Sequence, residues 1–146
     1  MKTKKLLATS LLCGLCAFST LPVHAAEPEG PYTGIHKEVS TLSDGKTRVS
    51  WGEGELVHAN PVGRKPWAYA KTYTFAGNAH SIKARTKCKS NGQTDYTSWA
   101  EKSNASSVSS ATLVARTESD VKFNGEHKIQ DTSTSGWQTA TTSVSY

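Results

Sequence analysis

Residues 67–89 read WAYAKTYTFAGNAHSIKARTKCK, two alternating runs on either side of Gly77-Asn78. Alternation with period two marks extended strands with one buried face, and a Gly-Asn pair supplies the positive backbone dihedrals of a tight hairpin turn. Taken as a two-residue loop, the pair sets Phe75 opposite His80, Tyr73 opposite Ile82, Tyr69 opposite Thr86 and Trp67 opposite Cys88. Directly opposed residues point to the same side of a sheet. Trp67, Tyr69, Tyr73, Phe75, Ile82, Ala84 and Cys88 therefore gather on an expected core face. The other face takes Ala68, Ala70, Thr72 and Thr74 against Lys87, Arg85, Lys83 and Ser81. A register slip of one residue would undo this agreement between the two runs.

The same grammar extends along the chain. Asp44-Gly45, Asn91-Gly92, Asn124-Gly125 and Ser135-Gly136 are further turn signals, and no stretch carries a convincing helical period. The expected strands are 33–41, 46–51, 67–76, 79–89, 94–101, 108–117, 120–123, 126–131 and 137–145. Such spacing predicts an all-β, antiparallel β-sandwich or barrel of about eight to nine short strands built from hairpins. Continuing through Asn91-Gly92 places Tyr96 beside Lys87, with Thr97 and Trp99 on the core side.

The beginning of the chain reads differently. MKTKKLLATSLLCGLCAFSTLPVHA has three lysines, then an apolar run, then Pro22 and small residues at 23 and 25, the form of a secretory signal peptide cut after Ala25. The expected organisation is a signal peptide at 1–25 and a single secreted β domain at 26–146. The apolar run is shorter than the roughly 20 residues a membrane-spanning helix needs, and no transmembrane segment is expected later. The expected location is extracellular, or periplasmic in a Gram-negative source. Loss of Lys2, Lys4 and Lys5 takes Lys and Arg from 17 to 14 against 12 Asp and Glu, so the balance falls from +5 to +2. A claim of anion binding must then rest on where charge sits and not on overall basicity.

Only Cys88 remains after the signal, which excludes an internal disulfide and leaves a reactive thiol, a disulfide to another chain or, favoured because free Cys is among the most buried residue types, a buried thiol. Leu, Ile, Val and Phe are scarce beyond residue 25, and the four Trp and the Tyr residues must supply much of the buried area. The abundant Ser, Thr and aromatics favour extended chain over helix.

Lys83, Arg85, Lys87 and Lys89 form the strongest candidate site. Alternate strand residues stand about 6.6 Å apart, inside the Debye length of about 8 Å at physiological salt, so their potentials add. Tyr96 beside them offers an aromatic face for stacking or for a cation. This row suits a repeating anion such as an anionic cell-surface polymer or glycan, and it equally suits a sheet's wet side. Glu53 and Glu55 share a side with Trp51 and would be the acid pair of a small glycosidase, with Gly52 and Gly54 leaving room for a ligand or marking a bend. His36, His58, His80 and His127 show no metal-pair spacing. There is no nucleophile elbow, phosphate-cradling loop or Cys-x-x-Cys after residue 25, and no cofactor is expected. The resulting expectation is a secreted, non-enzymatic binding domain using the cationic face. The competing expectation is a bacteriocin-like or toxin-like agent acting on membranes or cell wall, favoured by export, small size and aromatic content.

Overall fold

The computed structural model describes residues 35–42 and 50–146. The expected leader, the start of the first strand at 33–34, the Asp44-Gly45 turn and most of the strand at 46–51 lie outside the described residues.

Ten strands follow in chain order: β1 (His36–Thr41), β2 (Gly52–Ala59), β3 (Trp67–Thr74), β4 (Ala79–Ser90), β5 (Gln93–Tyr96), β6 (Ala100–Ala105), β7 (Ser107–Ser109), β8 (Leu113–Val114), β9 (Val121–Gln130) and β10 (Gln138–Ser145). They form two antiparallel sheets. The first has the order β1-β2-β3-β7, with β8 also on β3; the second has the order β10-β9-β4-β5, with β6 also on β4. The architecture is the all-β, antiparallel one expected from the sequence, as two open sheets and not a closed barrel. Among the described residues no helix is long and apolar enough to cross a membrane.

The central hairpin of the sequence reading is not formed. β3 and β4 belong to different sheets and lie face to face, and Gly77 carries the chain from one layer to the other. Ala68, Ala70 and Thr72 are the buried residues of β3, while Trp67, Tyr69 and Tyr73 are only half-buried on its outer side. The face assignment of β4 stands, with Ile82, Ala84, Thr86 and Cys88 buried; that of β3 is inverted. The physical reason is that period two fixes which residues share a face but not which face is inside. Small residues let two sheets approach closely. The Ala70 amide donates across the gap to Thr86 Oγ1 at 2.8 Å, and Thr72 Oγ1 donates to the Lys83 carbonyl at 2.8 Å.

Other boundaries moved for equally local reasons. Asn91 and Gly92, at φ 51° and 71°, make the expected β4–β5 turn and bring Lys87 opposite Tyr96. Asn124-Gly125 is no turn but the middle of β9, so the expected strands 120–123 and 126–131 are one. Gly125 faces inward, where a Cβ would lie 2.5 Å from Thr142 Oγ1. Residues 97–99 interrupt the expected strand 94–101, and 108–117 contributes only the short β7 and β8. β2 was absent from the expected strands altogether.

The interior has two apolar clusters. One holds Leu42, Ala70, Ile82, Ala84, Val108 and Ile129; the other holds Leu56, Ala68, Cys88, Val121 and Phe123. A polar layer is also buried, made of Thr72, Thr86, Ser110, His127 and Thr142. Its members satisfy one another, as buried polar groups must. Thr86 and Ser110 hydroxyls lie 2.8 Å apart, and His127 Nε2 and Nδ1 meet Thr142 Oγ1 at 2.9 Å and Thr72 Oγ1 at 3.1 Å.

Candidate functional site

β4 is bonded on both edges and buries Ala84, Thr86, Cys88 and Ser90, so pleating sends Lys83, Arg85, Lys87 and Lys89 to the outer face of the second sheet. The partner strands extend that face. β9 sets Lys122 opposite Lys89, Asn124 opposite Lys87, Glu126 opposite Arg85 and Lys128 opposite Lys83. On the other edge Tyr96 opposes Lys87 and Glu101 opposes Lys83.

Aromatic rings alternate with these cations. The Arg85 guanidinium lies 5.1 Å from the Tyr96 ring centroid and 4.6 Å from that of Trp99. Lys87 Nζ stands 5.6 Å from Tyr96, Lys128 Nζ 5.0 Å from Trp99, and Lys83 Nζ 5.0 Å from Trp137. Each cation is thus held at the ring-face distance of a cation–π contact. Trp99 was expected in the core. The interruption at 97–99 breaks the alternation, and the ring lies with the cations instead. Trp137, Lys122 and Lys128 were also missed as site residues; reading 121–130 as one strand would have shown Lys122 and Lys128 on the same side.

Acidic groups divide the row into two halves. Lys83 Nζ pairs with Glu101 Oε2 at 2.9 Å, and Arg85 pairs with Glu126 through Nε at 2.9 Å and through Nη2. The Lys83 ammonium, with the Ser81 hydroxyl, holds the Glu101 carboxyl below its usual range. Arg85 and Lys83 are therefore locally compensated. No ion pair is seen among the described residues for Lys87, Lys89, Lys122 and Lys128; three of these four, Lys87, Lys89 and Lys122, lie toward the β4–β5 turn end. A cleft of about 440 Å³ opens there, its lining including Lys89, Lys122, Ser145 and Tyr146, with Asp120 as its acidic group.

The other candidates fall elsewhere. Glu53 and Glu55 do share a face, the outer side of the first sheet, whereas Trp51 packs against the core. Tyr73 donates its hydroxyl to Glu53, which pushes the phenol up to about 12, and Lys37 Nζ lies 3.5 Å from Glu55. Gly52 and Gly54 face inward and leave no room for a ligand: a Cβ at either would collide with the side chains of Ile129 and His127 respectively. His36 and His58, far apart in sequence, are cross-strand neighbours with ring centroids 5.9 Å apart. Among the described residues no three or more His, Cys, Asp or Glu side chains gather as a metal site. Cys88 is a buried free thiol, pushed up by its burial.

Comparison with known proteins returns no match: no family model, no curated protein and no solved structure matches the chain.

Proposed function

We propose that the chain is an exported, non-enzymatic domain that binds an acidic polysaccharide on the outer face of the second sheet. The observation that carries this reading is the alternation of cations and rings, Lys87, Tyr96, Arg85, Trp99 and Lys128. A carboxylated or sulfated glycan presents both matching chemistries: regularly repeated anions for the cations, and sugar C–H faces for the rings. Uncompensated Lys87, Lys89 and Lys122 supply the charge, and the Lys89–Lys122 cleft gives the track a defined end. The leader-like first 25 residues support the export that such a role requires.

Retention on a dextran sulfate resin, eluted with rising salt, tests the reading. Changing Lys87, Lys89 and Lys122 together to Ser should lower the eluting salt far more than changing Arg64, Lys65 and Lys102, exposed residues outside the face. Equal losses from the two triples would refute a localised site. Stronger retention on single-stranded DNA than on the sulfated glycan, abolished by the same triple, would reassign the ligand class.

A further inference from the structure

We propose that β10 is a dimerisation edge, pairing antiparallel with β10 of a second copy of this chain. This goes beyond the polymer reading and stands without it.

The second sheet ends at β10, which is bonded only to β9. Val121 and Tyr146 exchange both backbone bonds, at 3.0 and 2.8 Å. In an antiparallel ladder such doubly bonded pairs recur at every second residue, so the register makes Phe123–Val144, Gly125–Thr142 and His127–Ala140 the next bonded pairs. Thr139, Thr141, Ser143 and Ser145 then aim their N–H and C=O groups away from β9. No backbone partner is seen for them among the described residues.

An open edge is normally protected by charge, proline, a bulge or brevity. The other strand edges among the described residues have such protection, β5 through its length of four residues and its Asp95. β1, HKEVST, carries Lys37 and Glu38; β6 carries Glu101 and Lys102 and is cut off from β5 at 97–99; β7 and β8 have three and two residues. β10 is eight residues, QTATTSVS, with no charge, proline or glycine.

The self-complementarity of the strand favours a second copy as the occupant. A two-fold axis through Thr142 sets Thr139 opposite Ser145 and Thr141 opposite Ser143 of the other copy. Each such pair can exchange two bonds, giving about eight across the interface; on the outer face only hydroxyl side chains are opposed, and on the inner face Ala140 meets Val144 of the other copy. Electrostatics does not resist it. The two β9 strands would stand about 14 Å apart and the two β4 strands about 24 Å apart at the usual strand spacing, both beyond the Debye length of about 8 Å. A two-fold axis normal to the sheet also keeps both outer faces on one side. The pairing uses up the open edge of each copy, so assembly closes at the dimer.

Sedimentation of the purified protein over a wide concentration range tests this, combined with amide hydrogen exchange. The expected result is a reversible monomer–dimer equilibrium in which the Thr139, Thr141 and Ser143 amides are protected at high concentration and exchange rapidly on dilution. Thr141→Pro removes an outward N–H without touching the ladder to β9, and Thr141→Lys adds a repelling charge at the axis. Each should raise the dimer dissociation constant at least tenfold while leaving exchange in the β4–β9 ladder slow, which checks that the fold is intact. A monomer at all concentrations, a dimer in which those amides stay unprotected, or larger open assemblies would each overturn the proposal. Should Thr141→Pro fail to fold, Thr141→Lys and the exchange of the unaltered protein still decide it.

Discussion

The imidazole of His127 on β9 occupies the space left by the missing side chain of Gly54 on β2: a Cβ at position 54 would lie 2.1 Å from His127 Cγ. The ring belongs to one sheet and the glycine to the other, so this contact is part of what fixes the stacking of the two layers. The hydrogen-bond roles of the ring follow from its neighbours. Thr72 Oγ1 spends its proton on the Lys83 carbonyl, so it accepts from His127 Nδ1–H, and His127 Nε2 accepts from Thr142 Oγ1–H.

Gly54→Ala should therefore destabilise the fold through overpacking, by about 3 kcal/mol, read as a lower urea midpoint with an unchanged slope. Adding His127→Ala should recover part of the loss, because neighbours that compete for one volume are not additive. Additive losses would mean that the clash is relieved elsewhere.

The same burial makes stability depend on pH. Desolvation lowers the His127 pKa from 6.5 to about 4, and burial together with the nearby His36 lowers that of His58 to about 4. The folded state thus binds a proton less readily than the unfolded chain. The stabilisation is fully present above pH 6.5 and is lost as pH falls through 6.5 toward 4, with a slope approaching about 1.4 kcal/mol per pH unit for each buried histidine. Urea unfolding at pH 7, 6, 5 and 4.5 should show this loss, and His127→Gln should flatten the slope. A flat profile over that window in the unaltered protein would contradict the buried neutral state.

Legibility from sequence followed parity. Lys83, Arg85, Lys87 and Lys89 alternate with residues that are buried, and a strand leaves them one side to occupy. Tyr96 was equally readable, because Asn91-Gly92 fixes the register to Lys87. Where β3 sits was not readable, since pairing and stacking both satisfy two alternating runs joined by a short link, and WAYAKTYT offers small residues on one side and aromatics on the other. Gly125 misled for a related reason. Glycine serves turns and close approaches alike, and only the position of His127 and Thr142 distinguishes them. Trp99 lies with the cations because of a break in its strand that no local signal marks.

Cys88 should be inert in the native protein. It is buried against Phe123 and Val121, and burial pushes the thiol up, so little of it is thiolate at neutral pH. In a chain beginning at residue 26, where Cys88 is the one cysteine, a thiol-specific chromogenic reagent should give almost no signal at pH 8 without denaturant and one equivalent in urea. Rapid native labelling would place the side chain at the surface.

Trp99 should matter for ligand binding more than for stability. Its ring lies against both Arg85 and Lys128 and is itself only partly covered. Removing it frees two cations without creating a core cavity, and a cation–π contact at such a site is worth about 0.5–1 kcal/mol. Trp99→Ala should therefore cost about 1 kcal/mol of stability through the lost cation–π contacts, and, by removing the ring surface offered to a sugar, weaken binding of a sulfated glycan by about tenfold, which corresponds to about 1.4 kcal/mol. Trp99→Phe should restore most of the affinity by keeping a ring between the cations. If Trp99→Ala leaves glycan affinity unchanged while Lys87→Ser reduces it, the ligand is held by charge alone and the rings serve only to fix the cations in place.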